Sequence, residues 1–132
     1  MVWFQYLQRI FAADKLKFFA TLEEEIEKAK LNGCLVCIEM DANSKLGNEI
    51  IKNDPNKMSG NGKTLKSIID RQALVVVNAS DKCKGTITRE KKVLDKIESS
   101  VIDYFIVCQS FYEVVNSMEV DEERKRVLTS YR

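Results

Sequence analysis

The chain has 132 residues, 45% hydrophobic and 31% charged, which is enough to bury one core and excludes compositional disorder. With 21 basic and 20 acidic residues its formal net charge is +1, which excludes a global pull toward nucleic acid or a membrane surface and leaves any polyanion contact to a local patch. There is no histidine, so neither an imidazole general base nor a Ser/His/Asp triad can be built within the chain.

Met1-Val2-Trp3-Phe4-Gln5-Tyr6-Leu7 lacks the basic leader and apolar core of a signal peptide, and no apolar run approaches the ~18 residues of a membrane span. An intracellular protein is the expectation. Over residues 2–11, Trp3, Leu7, Ile10 and Phe11 share one helical face, predicting a helix that packs on a core or a partner. A second helix carries Leu16, Phe19, Leu22, Ile26 and Ala29 at steps of three and four. Thr21 and Glu24 have capping-box spacing, so that helix could begin there, and Asn32-Gly33 ends it.

Residues 34–40 read as a central strand, apolar on both faces. Residues 41–61 are rich in Asn, Ser, Gly and Asp, contain the single proline, Pro55, and predict a long functional loop. A helix over 62–72 and a short strand from Leu74 to Asn78 follow. Residues 85–88 and 100–107 read as strands joined by a charged loop, and 113–120 as one more strand. The last dozen residues show no clear pattern. This order predicts a mixed-sheet, layered α/β fold rather than a strictly alternating doubly wound sheet.

Cys34 and Cys37 have C-x-x-C spacing, which can signal zinc or redox chemistry, but on a strand the two side chains would point to opposite faces. Buried structural thiols are the favoured reading, with Cys83 and Cys108 forming no second ligand pair. Lys82, Lys84, Arg89, Lys91, Lys92 and Lys96 outnumber Asp81, Glu90 and Asp95, which fits a weak polyanion patch or, more simply, a solvated hairpin tip. Ser59-Gly60-Asn61-Gly62-Lys63-Thr64 ends like a phosphate-binding loop. However, Lys57 stands where the first glycine should be, and a helix start with a polar cap is the better reading.

Two carboxylates carry the chemistry. Asp41 closes the apolar run 34–40, with Asn43 two residues on, and Asp103 interrupts the run 100–107. An unpaired buried charge is costly, so such acids have a partner or a task. Asp41 offers an oxygen for a hard cation or a water, and Asn43 offers an amide to a phosphoryl oxygen; an ordinary turn would use the same residues. Asp103 would be either a site residue or a water-facing acid on an edge strand.

At this point the sequence resembles a family. Glu39-Met40-Asp41-Ala42-Asn43-Ser44-Lys45-Leu46-Gly47 is similar to the Gly-Asp-x-Asn-Ala block of the endonuclease/exonuclease/phosphatase superfamily. Ser100-Val101-Ile102-Asp103-Tyr104 is similar to its Ser-x-Ile-Asp-Tyr block. Asn61-Gly62 with Leu65, Leu74-Val75-Val76-Val77-Asn78 and Gly85-Thr86-Ile87-Thr88-Arg89 follow the family's order between them. The resemblance covers roughly residues 18 to 131. It is strongest to endonuclease domains of non-LTR retrotransposons and their genomic copies, including craniofacial development protein 2-like proteins. It implies a four-layer α/β sandwich, of which this chain would be a part, that hydrolyses DNA phosphodiesters with Mg²⁺. Asp41 would orient or activate the attacking water and hold the metal, Asn43 would bind the phosphate, and Asp103 would hold a catalytic imidazole.

The departures are equally specific. Residues 1–17 do not match the family's N-terminal half with its early Asn and metal-binding Glu, and no Ser-Asp-His block appears before Leu128-Thr129-Ser130-Tyr131-Arg132. Met40 replaces the glycine before the aspartate, and Glu39, one position out of phase with it, is a weak substitute ligand. The expectation is one partial domain over 1–132 with a divergent segment at 1–17, weakly active or inactive by itself. The alternative is a non-catalytic remnant serving as an interaction domain. A half sandwich would also expose an apolar sheet face, which with the N-terminal helix would favour a homo-oligomer.

Overall fold

The computed structural model describes residues 2–6, 15–42, 44–123 and 126–131. Val2–Tyr6 is a strand, β1, and not the start of an amphipathic helix. It runs parallel to Val36–Asp41 (β2), with Val2 opposite Val36 and Tyr6 opposite Met40. Val, Trp, Phe and Tyr favour strands, and pairing with a distant strand overrides the helical spacing of Trp3 with Leu7, Ile10 and Phe11. Those last three lie outside the described residues.

Helix α1 (Lys15–Leu31) buries Phe18, Phe19, Leu22, Ile26 and Ala29, while Leu16 is 81% exposed at its first turn. The helix runs through Thr21 and Glu24, so that pair does not start it. Gly33, at φ +69°, ends it: the Gly33 and Cys34 amides return to the carbonyls of Lys30 (3.0 Å) and Ala29 (2.9 Å).

Helix α2 (Gly60–Arg71) leads to β3 (Leu74–Val76) and a 3₁₀ turn at Val77–Ala79. Strand β4 (Cys83–Lys84) precedes the hairpin β5 (Arg89–Val93) and β6 (Lys96–Ser100). The segment read as a charged loop is therefore itself a hairpin, and residues 85–88 are not a strand. Mostly exposed side chains deprive the hairpin of the apolar alternation that marks a half-buried strand. Strand β7 (Asp103–Cys108), the short helix α3 (Gln109–Tyr112) and β8 (Val115–Asp121) follow. The closing residues form β9 (Arg126–Tyr131), paired antiparallel to β8.

The main sheet has the order β1-β2-β7-β3, with β7 antiparallel to both neighbours, and a second sheet has the order β4-β8-β9. Alternation along β2 and β7 sends Val36, Ile38, Met40, Tyr104 and Ile106 to one side, where α1 and α2 supply Leu22, Ile26, Leu65 and Ile68. Cys37, Phe105 and Val107 go to the other side, against Phe111, Val115, Met118 and Val120. Among the described residues the layers are thus helices, sheet and sheet. Both faces of β2 and β7 are covered among the described residues, which corrects the expectation of an exposed apolar face there.

The four cysteines are free. Cys34 lies just before β2, which begins at Val36 rather than at residue 34, and packs on the helix side, while Cys37 packs on the opposite side. Burial pushes the Cys37 thiol up to about 12, the behaviour of a packed thiol rather than a nucleophile.

The stretch from Ala42 to Ser59 packs down rather than hanging free, with Leu46 and Ile51 buried. Its main fastening is Tyr104, 2% exposed, whose hydroxyl accepts from the Leu46 amide (2.9 Å) and faces the carbonyls of Val101 (2.7 Å) and Ser44 (3.1 Å). Ser59 caps α2, accepting from Gly62 N (3.0 Å) and also from Lys45 N (3.0 Å). The Ser59–Thr64 stretch is therefore a capped helix start. Gly62 is required there because a Cβ would run into the Lys45 carbonyl.

Tyr104→Phe strands the buried Leu46 amide, which costs about 1–3 kcal/mol. Urea unfolding of this variant is expected to show that loss with an unchanged slope; wild-type stability would show that the hydroxyl does not fasten the loop.

Candidate active site at the rim of the main sheet

Strand β2 ends where β7 begins, and their antiparallel register places Asp41 opposite Asp103. Residues directly opposite in such a pair project to the same face, so the two carboxylates share one side of the rim. The ladder continues one step further, the Ala42 amide bonding the Ile102 carbonyl at 2.8 Å. The sheet thus brings together the two acids that the sequence places 62 positions apart.

Asp103 is half-buried. Burial raises its carboxyl above the usual aspartate range, and the negative charge of Asp41 raises it further; a hydrogen bond from Thr88 and the charge of Arg89 pull the other way. Thr88 is itself buried, and its Oγ1 accepts from the amides of Ile102 (2.9 Å) and Asp103 (3.2 Å). A hydroxyl has two acceptor sites and one proton. Thr88 therefore uses both acceptor sites on the β7 backbone and its proton on the Asp103 carboxylate.

Asn78 braces the other edge of β7. Its Nδ2 donates to the Asp103 carbonyl (3.0 Å) and its Oδ1 accepts from Phe105 N (2.9 Å). β3 pairs with β7 only as far as Ile106, and the Asn78 amide takes over where the ladder stops. Sequence reasoning placed Asn78 at a strand end and Thr88 in a strand but gave neither a role. A polar residue ending a β-branched run was the available signal; its partner, 25 residues on, was not visible locally.

Asn43 lies outside the described residues. Its neighbours are held firmly. Ala42 is buried, Ser44 Oγ donates to the Ala42 carbonyl (2.8 Å), and the Ser44 carbonyl meets Tyr104. Glu39 shares the face of Asp41, two residues along β2, but it meets the Tyr131 hydroxyl of β9.

An open cleft of about 510 Å³ is formed by Lys45, Pro55 and Asn56 of the long loop and by Arg89, Lys91 and Glu98 of the hairpin, with Ile102 on its wall; Arg89 is also the cation that acts on Asp103. Asn56 Nδ2 ties the two sides together through the Ser99 carbonyl (2.8 Å). Three cations against one acid give the cleft a positive lining. The basic stretch is thus divided: Arg89 and Lys91 face the cleft, whereas Lys82 is committed to the Tyr112 carbonyl (2.6 Å) and ring.

Among the described residues no three Asp, Glu, Cys or His side chains converge as a metal cage. Asp41 is the described carboxylate that could hold a hard cation at the rim. Mg²⁺ is commonly held by one or two carboxylates, its remaining positions filled by water and substrate phosphate. No described helix is long and apolar enough to cross a membrane.

No protein-family model matches the sequence, and no curated protein matches it. Among solved structures the chain is similar to the endonuclease domain of TRAS1, a telomere-specific non-LTR retrotransposon, with a TM-score of 0.70 and 16% identity. The match covers 96% of this chain and 55% of that one, so the chain spans about half the solved length. At this identity the likeness is one of architecture: the chain has a layered α/β fold similar to about half of that domain.

Proposed function

We propose that the chain is a Mg²⁺-dependent DNA-nicking domain of low intrinsic activity, binding the phosphodiester backbone in the basic cleft that holds Arg89 and hydrolysing it at Asp41 and Asp103. The observation that supports this most is the register of β2 on β7, which sets two carboxylates opposite one another, with Arg89 of the cation-lined cleft acting on one of them. Lys45, Arg89 and Lys91 supply the charge that attracts a phosphate chain, and Asn43 is proposed to hold a phosphoryl oxygen through its amide.

The hairpin favours a duplex as the partner. Leu94, 90% exposed and at φ +56°, lies at its tip, with Ile97 68% exposed beside it and Lys91, Lys92 and Lys96 flanking them. Glu90, Asp95 and Glu98 nearly balance these cations and Arg89, so it is the apolar tip that argues for groove entry, as apolar wedges do in DNA-bending proteins. A DNA substrate would require the protein to work inside the cell.

Asp41 is proposed to bind the metal and orient the attacking water. Asp103, opposite it on the same face of the sheet, is proposed to accept that water's proton. Bound Mg²⁺ would supply Lewis-acid stabilisation of the phosphoryl oxygens. The chain has no histidine, so Asp103 has no imidazole of its own chain to orient, and hydrolysis rests on the carboxylate pair. This is the reason for expecting a low rate.

Supercoiled plasmid incubated with Mg²⁺ should be nicked slowly, and Asp41→Ala or EDTA should reduce nicking at least a hundredfold while DNA binding persists. Binding without any nicking by the wild-type chain would favour a non-catalytic binding remnant. Nicking that survives Asp41→Ala would overturn the assignment of the site.

Lys91→Ala tests the cleft. Each phosphate contact contributes a slope of about −0.9 to log K against log salt, so this variant should bind duplex DNA more weakly, with a slope shallower by about 1. An unchanged slope would show that DNA does not lie along this groove.

A further inference from the structure

The segment that delivers Thr88 and Arg89 to the carboxylates has little regular structure to hold it. Residues 85–88 belong to no strand. Gly85, at φ +84°, lies so close to β8 that a Cβ would collide with the Val120 carbonyl, and any side chain there would push the segment away. The segment is then fastened at two points. The Thr88 amide bonds the Ser100 carbonyl at 3.1 Å. The amides of Thr86 and Ile87 both donate to one oxygen of Glu122, at 2.8 and 2.9 Å, across the turn that follows β8.

Two successive amides on one carboxylate oxygen form a charge-assisted clasp, which fixes the local chain direction more tightly than a single bond. The next residue is Thr88, whose single hydroxyl serves the Ile102 amide, the Asp103 amide and the Asp103 carboxylate together. We infer that Glu122 is a positioning residue for the rim: by clasping Thr86 and Ile87 it holds the Thr88 hydroxyl on Asp103, and so couples the second sheet to the carboxylate pair of the first. The functional consequence rests on the nicking activity proposed above, whereas the coupling itself is a statement about geometry.

Amide hydrogen exchange separates the two. Glu122→Ala should raise exchange at Thr86, Ile87, Ile102 and Asp103 about tenfold or more and leave the core amides of Ile38 and Ile106 as protected as before. Glu122→Gln, which keeps a carbonyl acceptor, should restore most of that protection, and Thr88→Val should reproduce the loss at Ile102 and Asp103 alone. In the plasmid assay Glu122→Ala should lower kcat about tenfold with KM little changed, and Glu122→Gln should recover it. Undisturbed Ile102 and Asp103 amides in Glu122→Ala would overturn the inference, as would a uniform rise that includes Ile38 and Ile106. If the amides respond as expected but no form of the protein nicks DNA, the coupling stands and the nuclease reading falls.

Discussion

The register between β2 and β7 is the constraint on which the rest of the molecule depends. Strand side chains alternate with a period of two, so a slip of one residue would move Ile38 and Ile106 off the helix side and carry Asp41 away from Asp103. The apolar residues of both strands forbid that slip, because each face is packed against its own layer. The core thereby imposes an arrangement that electrostatics opposes. Like charges directly opposite on neighbouring strands destabilise the pair by roughly 0.2–1 kcal/mol, and half-burial of Asp103 adds to the penalty. Tension of this kind, held in place by surrounding packing, is typical of sites that act on charged substrates.

Around the pair, polar side chains stand in where backbone pairing stops. Asn78 extends the edge of β7 beyond β3, Thr88 satisfies two amides that no strand reaches, and Tyr104 fastens the chain beyond Asp41. Each answers the same requirement, since buried backbone donors and acceptors must find partners. In doing so they fix the orientation of the rim. The residues that complete the hydrogen bonding of the sheet are also those that shape the rim, so that polar side chains and a cation-lined cleft can lie close to so apolar a core.

Much of this was legible in the sequence. The apolar run into Asp41 and the run around Asp103 announced two buried strands with acids at a rim. Asn32-Gly33 marked a helix end, and Ser59 marked a cap. What escaped was set by distant partners. Val2–Tyr6 pairs with a strand more than 30 residues away, and its aromatic spacing suggested a helix instead. The hairpin at 89–100 is mostly exposed on both faces, so it lacks the alternation that reveals strands. Thr88, Asn78 and Glu122 acquire their roles from partners between 14 and 36 residues along the chain, and nothing in their local sequence names those partners.

The central claim is that Asp41 and Asp103 face one another as like charges. Asp103 is raised in the folded protein, so between the ordinary aspartate range and its raised value the folded chain binds more protons than the unfolded one, and stability falls as pH rises through that window. A double-mutant cycle with Asp41→Asn and Asp103→Asn, followed by denaturant unfolding at pH 7 and again at a pH where both acids are protonated, measures the pair directly. At pH 7 each single substitution should stabilise the protein, the double should gain less than the sum of the two, and the coupling should vanish at low pH. Strictly additive substitutions at pH 7 would contradict the account, because they would mean that the two carboxylates do not meet.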